Sequence, residues 1–232
     1  MITISTINSE LTHMRDVATA ELSGFTVGCV LEDIFGRCHC GANSEYEDRT
    51  AGLCAESAAI AAMSSSVGAT KLKSIYLCGA PKADKKYNKP TFPCGLCRQR
   101  LAEISDENTD FISLSQNGEI LYQCKFFELF PFPFTLGGNK EFAEFINTKR
   151  RAFSFKNGTD IDVALQKLYD RSFPLSGKKE ACIIELKSGD LIGGNYFGTA
   201  CYKADIDAKT AAYSQIARQN LWNEIKKVHF LG

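Results

Sequence analysis

Apolar residues recur at helical spacing at Leu11, Met14, Val17 and Ala18, which predicts a helix over residues 9–22. Residues 25–32 and 37–41 then read as the two strands of a hairpin, turning at 33–36. The alanine-rich stretch 53–63 predicts a buried helix, and 73–78 a strand. A polar loop over 82–89 leads to a helix at 94–104, followed by strands at 110–115 and 120–125. Helices alternating with strands imply a layered α/β domain. Leu136-Gly137-Gly138-Asn139 breaks the pattern, and 140–156 is a charged connecting segment. This gives a domain over 1–138, a linker over 139–156 and a second, smaller domain over 157–232.

The second domain partly repeats the first. A helical pattern at 161–169 precedes a strand at 181–186, and Gly193-Gly194-Asn195 echoes Gly41-Ala42-Asn43. Counting forward from Asn195 as from Asn43 places Ile206 opposite Cys54 and Ala208 opposite Glu56. The second copy keeps apolar residues at Ile183, Ile184, Leu186, Tyr196, Phe197 and Tyr202, which are expected to need a partner surface.

Chemistry concentrates in the first domain. Cys54-Ala55-Glu56 and Pro93-Cys94-Gly95-Leu96-Cys97 supply three thiols and one carboxylate. A catalytic zinc takes three protein ligands and keeps a fourth position for water. Cys94 and Cys97, three apart at a helix start, share a face, and Cys54 opens another helix. Helix N-termini favour sulfur anions. Glu56 stays free of ligand duty and suits a general acid/base. A closed structural site, with Cys78 as a fourth ligand, is the alternative reading. No P-C-x-x-C follows the second copy, so one zinc per chain is expected. Three thiolates leave Zn²⁺ at net −1, and Arg98 is the candidate to offset that charge.

The chain has 232 residues, 44% of them hydrophobic, enough for one or two domains with cores. Lys+Arg and Asp+Glu are both 27, which disfavours a polynucleotide partner. With ten cysteines, no secretory leader and no membrane-length apolar run, the expectation is a reduced cytoplasmic protein rather than a disulfide scaffold.

Taken together, these motifs resemble the cytidine deaminase family. Phe25-Thr26-Val27-Gly28 is similar to its F-x-V-G-A strand, Asn43-Ser44-Glu45 to its N-x-E, Cys94 to Gln99 to its C-G-x-C-R-Q, and Glu128 to Phe134 to its E-L-L-P-x-x-F ending. The resemblance implies a three-layer α/β/α sandwich with a mixed sheet, followed by a smaller degenerate copy. It implies zinc-dependent deamination of cytidine and deoxycytidine in pyrimidine salvage, with Glu56 moving protons. It also implies that Asn43 and Glu45 hold the ribose, Phe25 packs on the pyrimidine, the Ala55 backbone meets the base edge and Phe134 reaches a base in its own or a neighbouring subunit's site. The broken second copy resembles that of long-subunit dimeric members, which implies a homodimer. Two departures stand out. Long members commonly have His as first ligand, where this chain has Cys54. Three-cysteine members often have Arg after the catalytic Glu, where this chain has Ser57. A deaminase of another cytosine compound, such as an aminoacyl-nucleoside antibiotic, and a zinc-bearing binding protein without turnover are the alternatives.

Overall fold

The computed structural model describes residues 2–46, 52–155, 158–173, 175 and 177–232. The chain divides into two compact units, Met1–Ile60 with Lys71–Pro133, and Ala61–Thr70 with Phe134–Gly232.

In the first unit, helix α1 runs over Ile4–Asp16, five residues earlier than the pattern at 9–22 predicts. Thr3 caps it by accepting from the Thr6 N–H, and Ile7, Leu11 and Met14 form its buried stripe. It stops before Thr19, which is drawn instead into a bridge with Ser44. Strands β1 (Phe25–Asp33) and β2 (Cys38–Ala42) form the expected hairpin. The buried Asp33 carboxylate organises its turn by accepting from the N–H groups of Phe35 and Arg37 and from the Arg37 side chain. Helix α2 spans Ala55–Val67, β3 Leu72–Pro81, α3 Gly95–Ala102, β4 Asp110–Leu114, β5 Ile120–Lys125 and the single turn α4 Phe126–Leu129. The sheet order is β2-β1-β3-β4-β5. Only β3 and β4 pair in parallel, so the sheet is mixed.

Strand alternation assigns each helix its face. Val30 packs with Ile7 and Leu11 of α1, joined by Ile112 and Leu114. On the opposite face, Gly41 lies against the backbone of α2: a Cβ there would sit 2.2 Å from the Ala55 carbonyl oxygen and 2.3 Å from the Ala59 nitrogen. Helix, sheet and helix therefore make three layers.

The second unit contains α5 (Lys140–Asn147), α6 (Ile161–Tyr169), β6 (Ala181–Leu186), β7 (Leu191–Asn195), α7 (Ala208–Gln219) and β8 (Ile225–Leu231). Its sheet has the order β7-β6-β8. α6 covers one face through Ala164, Leu165 and Leu168, while α7 covers the other through Ala208, Ala212 and Ile216. The 139–156 stretch, expected as a linker, includes α5, capped by Asn139. α5 packs Phe142 edge-on against Phe173, 4.2 Å between ring centroids. Residues 156 and 157, where the expected boundary falls, lie outside the described residues.

The repeat is confirmed in detail, with a corrected register. Gly28 pairs with Ala42, and Ala181 pairs with Asn195, a shift of 153 residues on both strands (181 − 28 and 195 − 42). Gly28 also pairs with Cys78, and Ala181 with Leu231, the same shift. The Ser44–Leu53 bridge recurs as Phe197–Ile206. A Cβ on Gly194 would meet the Ala208 oxygen and Ala212 nitrogen at 2.3 Å, repeating Gly41 on α2. Asp207 and Lys209 thus stand opposite Cys54 and Glu56, one residue beyond the Ile206 and Ala208 that counting suggests. Asn195 corresponds to Ala42, not Asn43, because the Gly that touches the helix sets the alignment. Asp207 caps α7 by accepting from the Thr210 N–H, and Lys209 lies over the Phe230 ring at 4.7 Å. A second correction concerns the apolar residues expected to need a partner. Ile183, Ile184, Leu186, Tyr196 and Phe197 are all buried, and of that set Tyr202 alone is exposed, at 75%.

Gly41→Ala and Gly194→Ala should each lower stability by about 1–3 kcal/mol, because the added methyl meets helix backbone that cannot rotate away. Urea unfolding of both variants checks this; unchanged midpoints would mean that the helices retreat freely.

Candidate metal and active site

Two helix starts build the site. The Cys54 carbonyl accepts from the Ala58 N–H at 3.0 Å, and the Cys94 carbonyl from the Arg98 N–H at 2.9 Å. Both residues therefore occupy the position just before a helix, where the carbonyl takes the first intrahelical bond while the side chain stays outside. Cys97 follows one turn into α3 and is buried. The three sulfurs all lie within 4.8 Å of one another, and those of Cys54 and Cys94 are 3.9 Å apart. Tetrahedral zinc with Zn–S of ~2.3 Å places its sulfurs about 3.8 Å apart, so the donors fit one zinc ion. Hydrogen bonding with the Cys54 and Cys97 thiols holds Cys94 well below the usual thiol range. Cys78 is not in this group. It packs with Ile7, Leu11 and Val30 on the α1 face, so among the described residues the cluster consists of the three sulfurs of Cys54, Cys94 and Cys97.

Glu56, in the first turn of α2, is only 4% exposed. Burial pushes its carboxyl up to about 7, the range in which a group both takes and gives protons. It lines a cavity of 490 Å³ together with Cys54, Ala55 and Cys94. Phe25, Asn43 and Glu45 line the same cavity. Phe25 is held edge-on by Tyr87 at 5.7 Å. The Asn43 amide accepts from the Val27 N–H at 2.8 Å and donates to the Phe25 carbonyl at 3.0 Å, tying β2 to the start of β1. Glu45 accepts from the Leu22 and Ser23 N–H groups and from the Ser23 hydroxyl, which fixes the α1–β1 loop over the cavity. Asn43 Oδ1 and Glu45 Oε1 each accept one of these bonds, which leaves each a lone pair for a ligand hydroxyl.

Phe134 and Arg98 are not among the residues that line this cavity. Phe134 falls in the second unit and is 57% exposed, so its expected reach to a base, in its own or a neighbouring subunit's site, stays a proposal. Arg98 is held by backbone carbonyls: Nε donates to the Pro93 carbonyl at 2.8 Å and Nη1 to the Leu129 carbonyl at 3.0 Å. It anchors the α4 turn. Tyr46, Thr91 and Phe92 also line the cavity. Their only sequence signal is adjacency, Tyr46 to Glu45 and Thr91-Phe92 to Pro93-Cys94.

Residues 5–112 match the model of the cytidine and deoxycytidylate deaminase zinc-binding region. This part of the chain is similar to that deaminase family. Cys54, Glu56, Cys94 and Cys97 all fall inside the matched segment. The same region is also similar to solved cytidine deaminases. That of Burkholderia pseudomallei is 24% identical, covering 57% of this chain and 100% of its own, with a TM-score of 0.49. That of Mycobacterium tuberculosis is 24% identical over 59% and 100%, TM-score 0.48. That of Mycobacterium leprae is 24% identical over 57% and 100%, TM-score 0.46. No curated protein matches the chain. Among the described residues, no helix is long and apolar enough to cross a membrane.

Elemental analysis of the purified protein should give about one zinc per chain, falling to near zero in Cys97→Ser, which removes the most enclosed of the three sulfurs. Two tightly held zincs, or retention in that variant, would contradict the three-sulfur site.

Proposed function

We propose that this chain hydrolyses cytidine and deoxycytidine to uridine and deoxyuridine, releasing ammonia. The observation that carries this reading is a buried carboxyl, Glu56, lining the same 490 Å³ cavity as the thiols Cys54 and Cys94. Cys54, Cys94 and Cys97 would hold the zinc, which would supply the Lewis acidity that makes water a nucleophile near neutral pH. Glu56 accepts the proton lost by that water and delivers it to ring N3 of the pyrimidine. After the water oxygen has bonded to C4, Glu56 takes the remaining proton of that hydroxyl and passes it to the exocyclic amine; the C4–N bond breaks as the C4 carbonyl forms, and ammonia leaves. Water and cytidine in, uridine and ammonia out, leaves Glu56 as it began. Asn43 and Glu45 line the same cavity with spare acceptor sites suited to ribose hydroxyls, and Phe25 offers a ring face or edge to the base. In this reading the Ala55 backbone, which lines the cavity at the start of α2, meets the base edge.

Purified zinc-loaded protein mixed with cytidine should lose cytosine absorbance, and free cytosine should react far more slowly. Glu56→Gln should keep zinc and fold while turnover falls at least ~10²–10⁴-fold, because an amide cannot carry the proton. Equal processing of cytosine and cytidine would remove the ribose role of Asn43 and Glu45; undiminished turnover in Glu56→Gln would remove Glu56 from the reaction.

We also propose that the chain works as a homodimer. Phe132 is 89% exposed, and it is followed closely by Phe134 and Leu136 at 57% and 65%. A run of exposed large apolar side chains is the kind of surface a second copy covers. Light scattering coupled to size exclusion should give about twice the 25.6 kDa chain mass; a fully active monomer would refute the dimer.

A further inference from the structure

Three thiolates around Zn²⁺ would carry a net charge of −1, and the part of it on the buried Cys97 needs a counter-charge held close by. Arg98, the cation adjacent in sequence, is committed to the Pro93 and Leu129 carbonyls. Arg100 is placed differently. It lies two residues further along α3 and is only 6% exposed. Its Nη1 donates to the Ser57 hydroxyl oxygen at 2.6 Å. Ser57, fully buried on α2, has that same oxygen 3.4 Å from the Cys97 sulfur. Because Arg has only donors, the Ser57 oxygen must accept from Arg100, and its own hydrogen is left to point at Cys97. The result is a directed chain, guanidinium N–H to hydroxyl oxygen, hydroxyl hydrogen to sulfur. Each link polarises the next, so the positive charge is felt at the sulfur although Arg100 does not touch it.

We infer that Arg100, acting through Ser57, is the positioning residue that offsets the excess negative charge of the three-thiolate zinc site. The inference rests on the zinc deaminase reading of that site. Arg100 also ties α3 to α2, so the same chain that delivers charge to Cys97 holds the two helix starts, and hence the three sulfurs, in register. The partition of labour between the two arginines follows from helix geometry. Arg98 and Arg100 are two residues apart, so they emerge on different sides of α3, and only the second faces α2.

The test measures zinc affinity by competition with a chromophoric chelator at fixed pH and ionic strength, on the full chain, beside circular dichroism to confirm the fold. Arg100→Met removes the charge while keeping much of the side-chain bulk; zinc binding should weaken about 10–100-fold, the usual effect of losing a partner behind a metal ligand. Arg100→Lys, which restores the charge, should recover a substantial part of that loss. Ser57→Ala, a smaller change that breaks the chain at its middle link, should weaken zinc in the same direction even if Arg100→Met fails to fold. Zinc affinity within twofold of the unaltered protein in Ser57→Ala would overturn the inference. So would Arg100→Lys as weak as a folded Arg100→Met, since that result assigns Arg100 to packing. Cytidine turnover on the same unaltered sample separates the two claims: zinc affinities that follow this pattern without any turnover uphold the charge role and count against the deaminase assignment.

Discussion

Three sulfur atoms on two different helices have to meet within 4.8 Å, and most of the first unit is arranged so that they can. Like-charged thiolates repel, and a helix start is the place in a protein where an anion is best tolerated, because its free N–H groups point outward. The chain therefore spends two helix N-termini on the site. Cys54 and Cys94 sit just before α2 and α3, and Cys97 lies one turn inside. Bringing those two starts together fixes the order of everything between them. β3 must run back across the sheet from the end of α2, and the long loop after β3 must return to Pro93.

The second requirement is closeness between α2 and the sheet. Gly41 exists at that contact because any side chain would meet the Ala55 carbonyl at 2.2 Å. The same helix carries Glu56, whose burial moves its carboxyl up to about 7. Packing and acid/base chemistry thus meet on one helix. The repeat makes the same point from the other side. Gly194 meets Ala208 in the same way, yet the helix it supports begins with Asp207 and Lys209 in place of a thiol and a carboxylate. The framework survives there without its chemistry, which shows that the close helix–sheet contact is a property of the fold and the reactive residues an addition to it.

Much was legible in the sequence, because helix and strand periods, caps and short-range motif spacing are local. The hairpin, α6, β5, β6, the zinc ligands Cys54, Cys94 and Cys97 and the buried Glu56 all follow from residues within a few positions of one another. α7 and β8 did not emerge: α7 is alanine-rich with a weak apolar stripe, and β8 carries Lys226-Lys227 inside it, which blurs a two-residue alternation. The start of α1 was set by the Thr3 cap, five residues ahead of its clearest apolar period.

What the sequence determined by itself is which atoms could bind zinc and which carboxyl could move protons, since donor type and spacing are fixed by the covalent chain. What only the tertiary structure decided is which groups stand next to them. Arg98 is nearer Cys97 in sequence, but Arg100 faces α2 and reaches Ser57. Tyr46, Thr91 and Phe92 complete the cavity wall without any motif of their own. The register of the repeat shifted by one residue because a backbone contact, not a Gly-Asn match, aligns the two copies. In each case the deciding quantity is the direction a side chain takes after the chain has folded back on itself, and no local period carries that information.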